Sequence, residues 1–416
     1  MTLPTAAPEK AGMSSALLAR IRPAMQAWIG RGTIAGVSAM LARRGQIVYS
    51  EQIGKMDKES SVPMLEDAIF RIYSMTKPIV CTALMTLYEE GRFQLNTPVA
   101  KFIPDLGGIK VLQQDAAGVA TQVDLLRPIT VRDLMTHTAG FTYDFLVDSP
   151  VGALYRQAEL GRDAGRTLEQ FVHELVRLPL AYQPGTRWHY SLGIDVAAHL
   201  VEILAERPLR QFLQERIFTP LGMVDTDFCV PEGKQAQLAA MYGYYDVVAR
   251  NMTLPMMNAA WEAGHLERID VGASYPVARA ETFARGGHGL FSTTRDYMRF
   301  ALMLLNDGTL DGASILGRKT LELMHANHLP HALLPWEVGG TITYGYGFGL
   351  GSRTLMDVGA AGIPGTVGEF GWAGAASTYY WVDPREEFAG VFMTQYQGMD
   401  EPQMDFRVLA YQAIVD

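Results

Sequence analysis

Residues 36–54, "GVSAMLARRGQIVYSEQIG", decide the fold. Two apolar runs flank the short polar stretch "RRGQ", and that pattern predicts a β-hairpin. "STYYWVDPREEFAGVFMTQY" (377–396) predicts a second hairpin near the other end, turning at Asp383-Pro384-Arg385. Working outward, "SSALLARIRPAMQAWIG" (14–30) has the periodicity of an amphipathic helix capped by Ser14 or Ser15, which Pro23 kinks or divides. A last amphipathic segment, about 401–415, predicts a C-terminal helix. Helix then hairpin at one end, and hairpin then helix at the other, imply that the two ends share one antiparallel sheet covered by helices. Between them "TVRDLMTHTAG", "TLEQFVHELVRLPL", "LGIDVAAHLVEILAERPLRQFLQERIFTPLG" and "TRDYMRFALMLLNDG" are helical stretches punctuated by Pro and Gly. The expected architecture is a single α/β (α+β) domain over 1–416. Its α/β lobe takes approximately 1–95 and 290–416, and its inserted helical lobe approximately 96–289. A cleft between such lobes is a frequent place for a site.

The 416 residues are 48% hydrophobic, enough to bury a large core. A net charge of −9 argues against a nucleic-acid partner, which needs a basic face. The two cysteines, Cys81 and Cys229, make no disulfide framework, and Cys81 reads as a small core residue. The N-terminal stretch lacks the basic-then-apolar pattern of a secretory signal. No run approaches the roughly 18 apolar residues of a membrane span. The expectation is a cytoplasmic protein with no membrane partner. The sequence sets no oligomeric state.

The chemistry is sought in "FRIYSMTKPIV" (70–80). From Ser74 the pattern is helical as far as Gly91, which places Ser74 near the N-cap or first position, with Pro78 tolerable in the first turn. The i, i+3 spacing puts Ser74 and Lys77 on one face. A helix N-terminus adds free N–H groups and a positive field for a developing oxyanion. Lys77 could take the serine proton when neutral or polarise a partner when charged. The plainer alternative is a helix cap followed by a chance lysine, since Ser is a favoured N-cap. This is the only Ser-x-x-Lys in the chain.

"FRIYSMTKPI", "LRPITVRDLMTHTAGFTY", "PGTRWHYSLGIDVAAHLVE", "GGHGLFSTTRDYMRF" and "FGWAGAASTYYWVDP" follow in this order. Together they resemble the serine β-lactamase and penicillin-binding superfamily. More narrowly they resemble the class C β-lactamase-like esterases, the family VIII carboxylesterases. The resemblance runs from about residue 12 to the end. It implies a β-lactamase-like fold and a serine hydrolase working through an acyl-Ser74 ester. It implies Ser74 as nucleophile, Lys77 as its helix neighbour, and Tyr190 as base for the serine and acid for the leaving group. It places Trp372-Ala373-Gly374 at the third motif, on a strand edging the cleft, with an oxyanion hole from the backbone N–H groups of Ser74 and Ala375. A phenol is a weak base at neutral pH unless a cation stands beside it, so Ser74, Lys77 and Tyr190 are expected to act as a coupled set. Tyr143 and Tyr182 are the runners-up for the tyrosine.

The departures speak to substrate. Leu192 stands where the second motif has Asn, and Trp372 where the third has Lys. That Lys helps hold the carboxylate of β-lactams and peptidoglycan stems, whereas Trp offers an N–H and an apolar face. The expected substrate is therefore a small, uncharged ester, for which the resemblance implies short acyl chains, with weak β-lactam hydrolysis as a side activity. The alternatives are an acyltransferase on the same scaffold, a β-lactamase or D-Ala-D-Ala peptidase, and a non-catalytic binding module. Besides Trp372 and Gly374, the expected pocket residues are Phe141, Tyr143, Phe145, Met256, Met257 and Trp261, each of which plain core packing would explain as well. His137 is expected to brace a turn. "HANHLPH" steps His325, His328 and His331 by three, and reads as a solvated loop rather than a zinc site. The chain has no Gly-x-Ser-x-Gly, and its glycine-rich stretches match no phosphate or dinucleotide fingerprint, so no cofactor is expected.

Overall fold

The computed structural model describes residues 3–160, 165–249, 252–278, 282 and 284–416. Its central sheet has seven strands: β1 (Gly36–Arg43), β2 (Gln46–Gly54), β3 (Tyr346–Phe348), β4 (Arg353–Leu355), β5 (Phe370–Ala373), β6 (Tyr379–Asp383) and β7 (Phe388–Met393). They run in the spatial order β3-β4-β5-β6-β7-β1-β2. Every pairing is antiparallel. The two predicted hairpins therefore meet, β1 lying against β7 with Ser38 opposite Met393 and Arg43 opposite Phe388.

The alternation of side chains explains why β1 and β7 are mostly apolar along their length. On β1, Met40 and Ala42 enter the main core, while Val37, Ala39 and Leu41 enter a second core on the other face. β7 divides in the same way, Val391 and Met393 to one side and Phe388 and Phe392 to the other. A strand covered on both faces has no use for polar residues. The second core is closed by α1 (Ile21–Gly30) and α5 (Pro402–Tyr411), which pack on each other. Ser14 caps a short turn of helix ahead of α1 by accepting from the Leu17 N–H. The break falls at Ala19–Arg20, before Pro23, which sits harmlessly in the first turn of α1.

The main core holds α2 (Thr76–Glu89), α3 (Gly193–Ala205) and α4 (Thr294–Leu305). α4 lies directly on β7, β1 and β6, and α2 packs along α3. Thr293 caps α4 by accepting from the Asp296 N–H. No described helix is long and apolar enough to cross a membrane.

Candidate active site

The chain reaches Ser74 under constraint. Ile69–Arg71 pairs with Phe291–Thr293, and a 3-10 turn, Tyr73–Met75, leads into α2. Tyr73 has φ +42°, a left-handed conformation costly for a bulky residue. It is held there by the Gln397 side chain, which donates to its hydroxyl at 2.7 Å, and by ring contact with Tyr275. Ser74 thus sits on the turn ahead of α2, and no side chain caps that helix. That removes the plain helix-cap explanation of the residue.

The Ser74 Oγ instead meets two side chains. Lys77 Nζ donates to it at 3.0 Å, and the Tyr190 hydroxyl lies 2.6 Å away. Lys77 is 1% exposed and its Nζ also donates to the Gly287 carbonyl at 2.6 Å. The ammonium is further flanked by the rings of Tyr190, 4.6 Å to the centroid, and Tyr143, 5.4 Å. Such contacts favour a cation kept from water. Tyr190 lies three residues before α3, in a segment whose backbone is tied to the "THTAG" turn by the His189 N–H donating to the His137 carbonyl.

His137 braces this turn, as expected. It is fully buried, has φ +56°, pairs its Nδ1 with the Ser191 hydroxyl at 3.2 Å, and lies tilted against the Tyr190 ring with centroids 4.8 Å apart. Burial, with Lys77 adding to it, pushes the imidazole well below its ordinary range. His288 is likewise pushed down to about 3 by burial, then by Lys77 and Arg285. Neither is suited to proton transfer near neutral pH.

The end of β5 closes onto the serine turn. A Cβ at Gly374 would stand 2.4 Å from the Ile72 carbonyl, so only glycine allows this approach. Ala375, next along, is solvent-exposed, and Ser74 is half-buried. Trp372 is buried on β5 with its ring 5.8 Å from Tyr190 and 5.3 Å from Phe348, and its indole N–H has no partner among the described residues. Phe145 stacks on Tyr143 at 5.0 Å, and the Tyr143 ring in turn lies beside Tyr190 and Lys77. The remaining pocket expectations are scattered. Phe141 is fully buried in the core and Met257 nearly so, and neither offers surface to a ligand as it stands. Met256 is exposed, and Trp261 donates its indole N–H to Asp400 at 3.1 Å. Tyr182 sits on the rim, bonded to Asp148, rather than at Ser74.

At His325 and His328 the structure corrects the expected solvated loop, whereas His331 is exposed. His325 ends a helix (Arg318–His325), is buried, and stacks on Phe370 with centroids 3.4 Å apart. Its Nδ1 and the His328 Nε2 face backbone carbonyls. The described residues contain no cluster of three or more His, Cys, Asp or Glu that could hold a metal.

Sequence reasoning missed Asp195 and Gly287. Asp195 is fully buried in the first turn of α3, and its Oδ1 accepts from the Gly287 N–H at 2.9 Å. Burial pushes its carboxyl up, against the pull of Lys77. The available signal was an acid between Ile194 and Val196 on a helix with apolar residues all round.

The likeness to known proteins spans almost the whole chain. The Beta-lactamase family profile matches residues 17–413. Protein Rv1367c of Mycobacterium tuberculosis is 32% identical over 373 residues, 88% of this chain and 86% of its own. Esterase EstB of Burkholderia gladioli is 28% identical over 94% of this chain and 93% of its own. The solved structure of EstCE1, described as a hydrolase with promiscuous acyltransferase activity, superposes with a TM-score of 0.75 at 26% identity, covering 96% and 98% of the two chains. The chain belongs to the Beta-lactamase family and is a serine hydrolase.

Proposed function

We propose that this enzyme is a carboxylesterase acting on small, uncharged, short-acyl esters. The observation that carries the reading is the convergence of Lys77 Nζ at 3.0 Å and Tyr190 OH at 2.6 Å on one half-buried serine hydroxyl. In this reading the Tyr190 proton is held on Lys77, Ser74 Oγ attacks the ester carbonyl, and the phenolate oxygen of Tyr190 takes the serine proton. The carbonyl electron pair moves onto oxygen, facing the N–H groups of Ser74 and Ala375, each worth roughly 3 kcal/mol to the transition state. On collapse, Tyr190 returns the proton to the leaving alcohol, and water then releases the acyl group by the same steps reversed. Trp372 beside Tyr190 supports a neutral substrate, since it offers no cation to a carboxylate. Gly374, Tyr143 and Phe145 complete the walls we assign to the substrate. For Phe141, Met257 and Trp261 the placement gives no such support.

Rates on p-nitrophenyl butyrate and on an anionic chromogenic cephalosporin test this directly. The reading expects the ester to turn over far faster, and a faster cephalosporin would replace it with a β-lactamase. Acyl transfer is the second reading, supported by the activity in EstCE1's description. Adding an alcohol acceptor and measuring the ratio of new ester to free acid separates the two.

A further inference from the structure

Lys77 has a buried neighbourhood, and among the described residues Asp195 is a carboxyl group on which its charge acts. The Ser74 hydroxyl, the Tyr143 and Tyr190 rings and the Gly287 carbonyl surround its Nζ. His137, His288 and Cys81 feel its charge from the elements packed around it. The two histidines are held neutral by burial, and burial pushes the Cys81 thiol up, so it too stays uncharged. Burial pushes the Tyr143 phenol up as well, and Asp195 is the carboxyl group that feels Lys77, with Arg285 exerting a weaker pull on it than Lys77 does.

The link between Asp195 and Lys77 is one peptide group. Asp195 Oδ1 accepts from the Gly287 N–H at 2.9 Å, and the Gly287 carbonyl accepts from Lys77 Nζ at 2.6 Å. Nothing larger fits between them. A Cβ at Gly287 would stand 2.4 Å from Asp195 Oδ2 and 2.9 Å from the Tyr143 hydroxyl. Asp195 Oδ2 itself has no hydrogen-bond partner among the described residues, an arrangement that packing alone would not favour in a fully buried carboxylate.

The geometry points to Asp195 as a positioning residue that acts through the Gly287 peptide to aim that carbonyl at Lys77 and to hold Lys77 as an ammonium, so that Lys77 donates to Ser74 and Tyr190 is left to accept the serine proton. The inference rests on the proposed hydrolytic role of the site. It chooses between two directions for one hydrogen-bond chain. With Lys77 charged, Lys77 donates to Ser74 Oγ and Ser74 donates to the Tyr190 oxygen. With Lys77 neutral the chain runs the other way. A buried counter-charge one peptide away selects the first.

The test is Asp195→Asn, which keeps an oxygen acceptor for the Gly287 N–H and removes only the charge. The alkaline limb of kcat/KM for p-nitrophenyl butyrate should move to lower pH, so that kcat/KM at that limb falls about tenfold, with KM unchanged. A profile that superimposes on the wild type, or a uniform drop without displacement, would mean a merely structural role. A second measurement needs no activity: the thermal midpoints of Lys77→Met, Asp195→Asn and the double variant. Lys77→Met strands a buried carboxylate, so the double variant should melt above Lys77→Met alone. Additive losses would overturn the coupling. If the wild type turns over no ester, the proposed function fails while this stability cycle still decides the inference.

Discussion

Behind the sheet, Arg407 and Glu369 form an ion pair that is essentially fully buried, with Nη1 2.6 Å from Oε1. Tyr379, Tyr411 and the Pro364 carbonyl bond to the same two groups, and Tyr411 also reaches Asp383. In the cleft, Lys77 and Asp195 are as deeply buried, yet a peptide separates them. The cleft also leaves Asp195 Oδ2, His137 Nε2 and the Trp372 indole N–H without partners among the described residues. Both regions bury opposite charges. One satisfies them against each other and ties α5 to the sheet. The other keeps them apart and leaves polar atoms uncommitted, as expected where a substrate and a moving proton have still to be accommodated.

The contrast can be broken at either end. The largest expected effect is on the cleft side: Tyr190→Phe should lower kcat by about 10³-fold while the thermal midpoint stays near wild type. Near-normal turnover would remove Tyr190 from the mechanism. Behind the sheet the response should be the opposite. Arg407→Met strands Glu369 and should cost about 3 to 5 kcal/mol of stability with kcat intact below the melting range, and adding Glu369→Met should recover much of that loss. Urea titration of the three variants checks it, and a single variant that also abolished kcat would join the two regions. Trp372→Lys should lower ester kcat/KM about tenfold and raise the relative rate on an anionic cephalosporin. An unchanged preference would show that Trp372 does not set substrate charge.

The smallest effect concerns pH. Burial pushes His325 and His288 down to about 3 in the folded chain, against about 6.5 when unfolded. The unfolded state binds the extra protons, so stability is fully present above about pH 6.5 and drains away as pH falls toward 3. His325→Phe, which keeps the stack on Phe370, should flatten part of that acid loss in urea midpoints taken at pH 7 and pH 5. An unaltered slope would place the acid sensitivity elsewhere.

The fold was largely legible because its signals are local. The "RRGQ" turn, the Ser14 cap and the apolar strands 36–43 and 388–393 each state their structure within a few residues. Ser74, Lys77 and Tyr190 were named through the resemblance, not from spacing alone, since Tyr190 reaches Ser74 from 116 residues away. Asp195 and Gly287 stayed hidden for the same kind of reason. Their bond spans 92 residues, and the Gly287 carbonyl meets Lys77 across 210. In the sequence Asp195 looks like an ordinary first-turn acid at a helix N-terminus. His325 misled because a Pro and two further histidines nearby suggest a wet loop, whereas the ring packs flat on Phe370.

The central claim is that Ser74 carries the acyl group. It is tested most directly by hydrolysis of p-nitrophenyl butyrate by the wild type and by Ser74→Ala, each followed by intact mass measurement during turnover. The account predicts turnover and a transient butyryl mass increase on the wild type, and neither on a folded Ser74→Ala. Equal turnover by the two proteins would contradict it and leave Ser74 as no more than part of a turn.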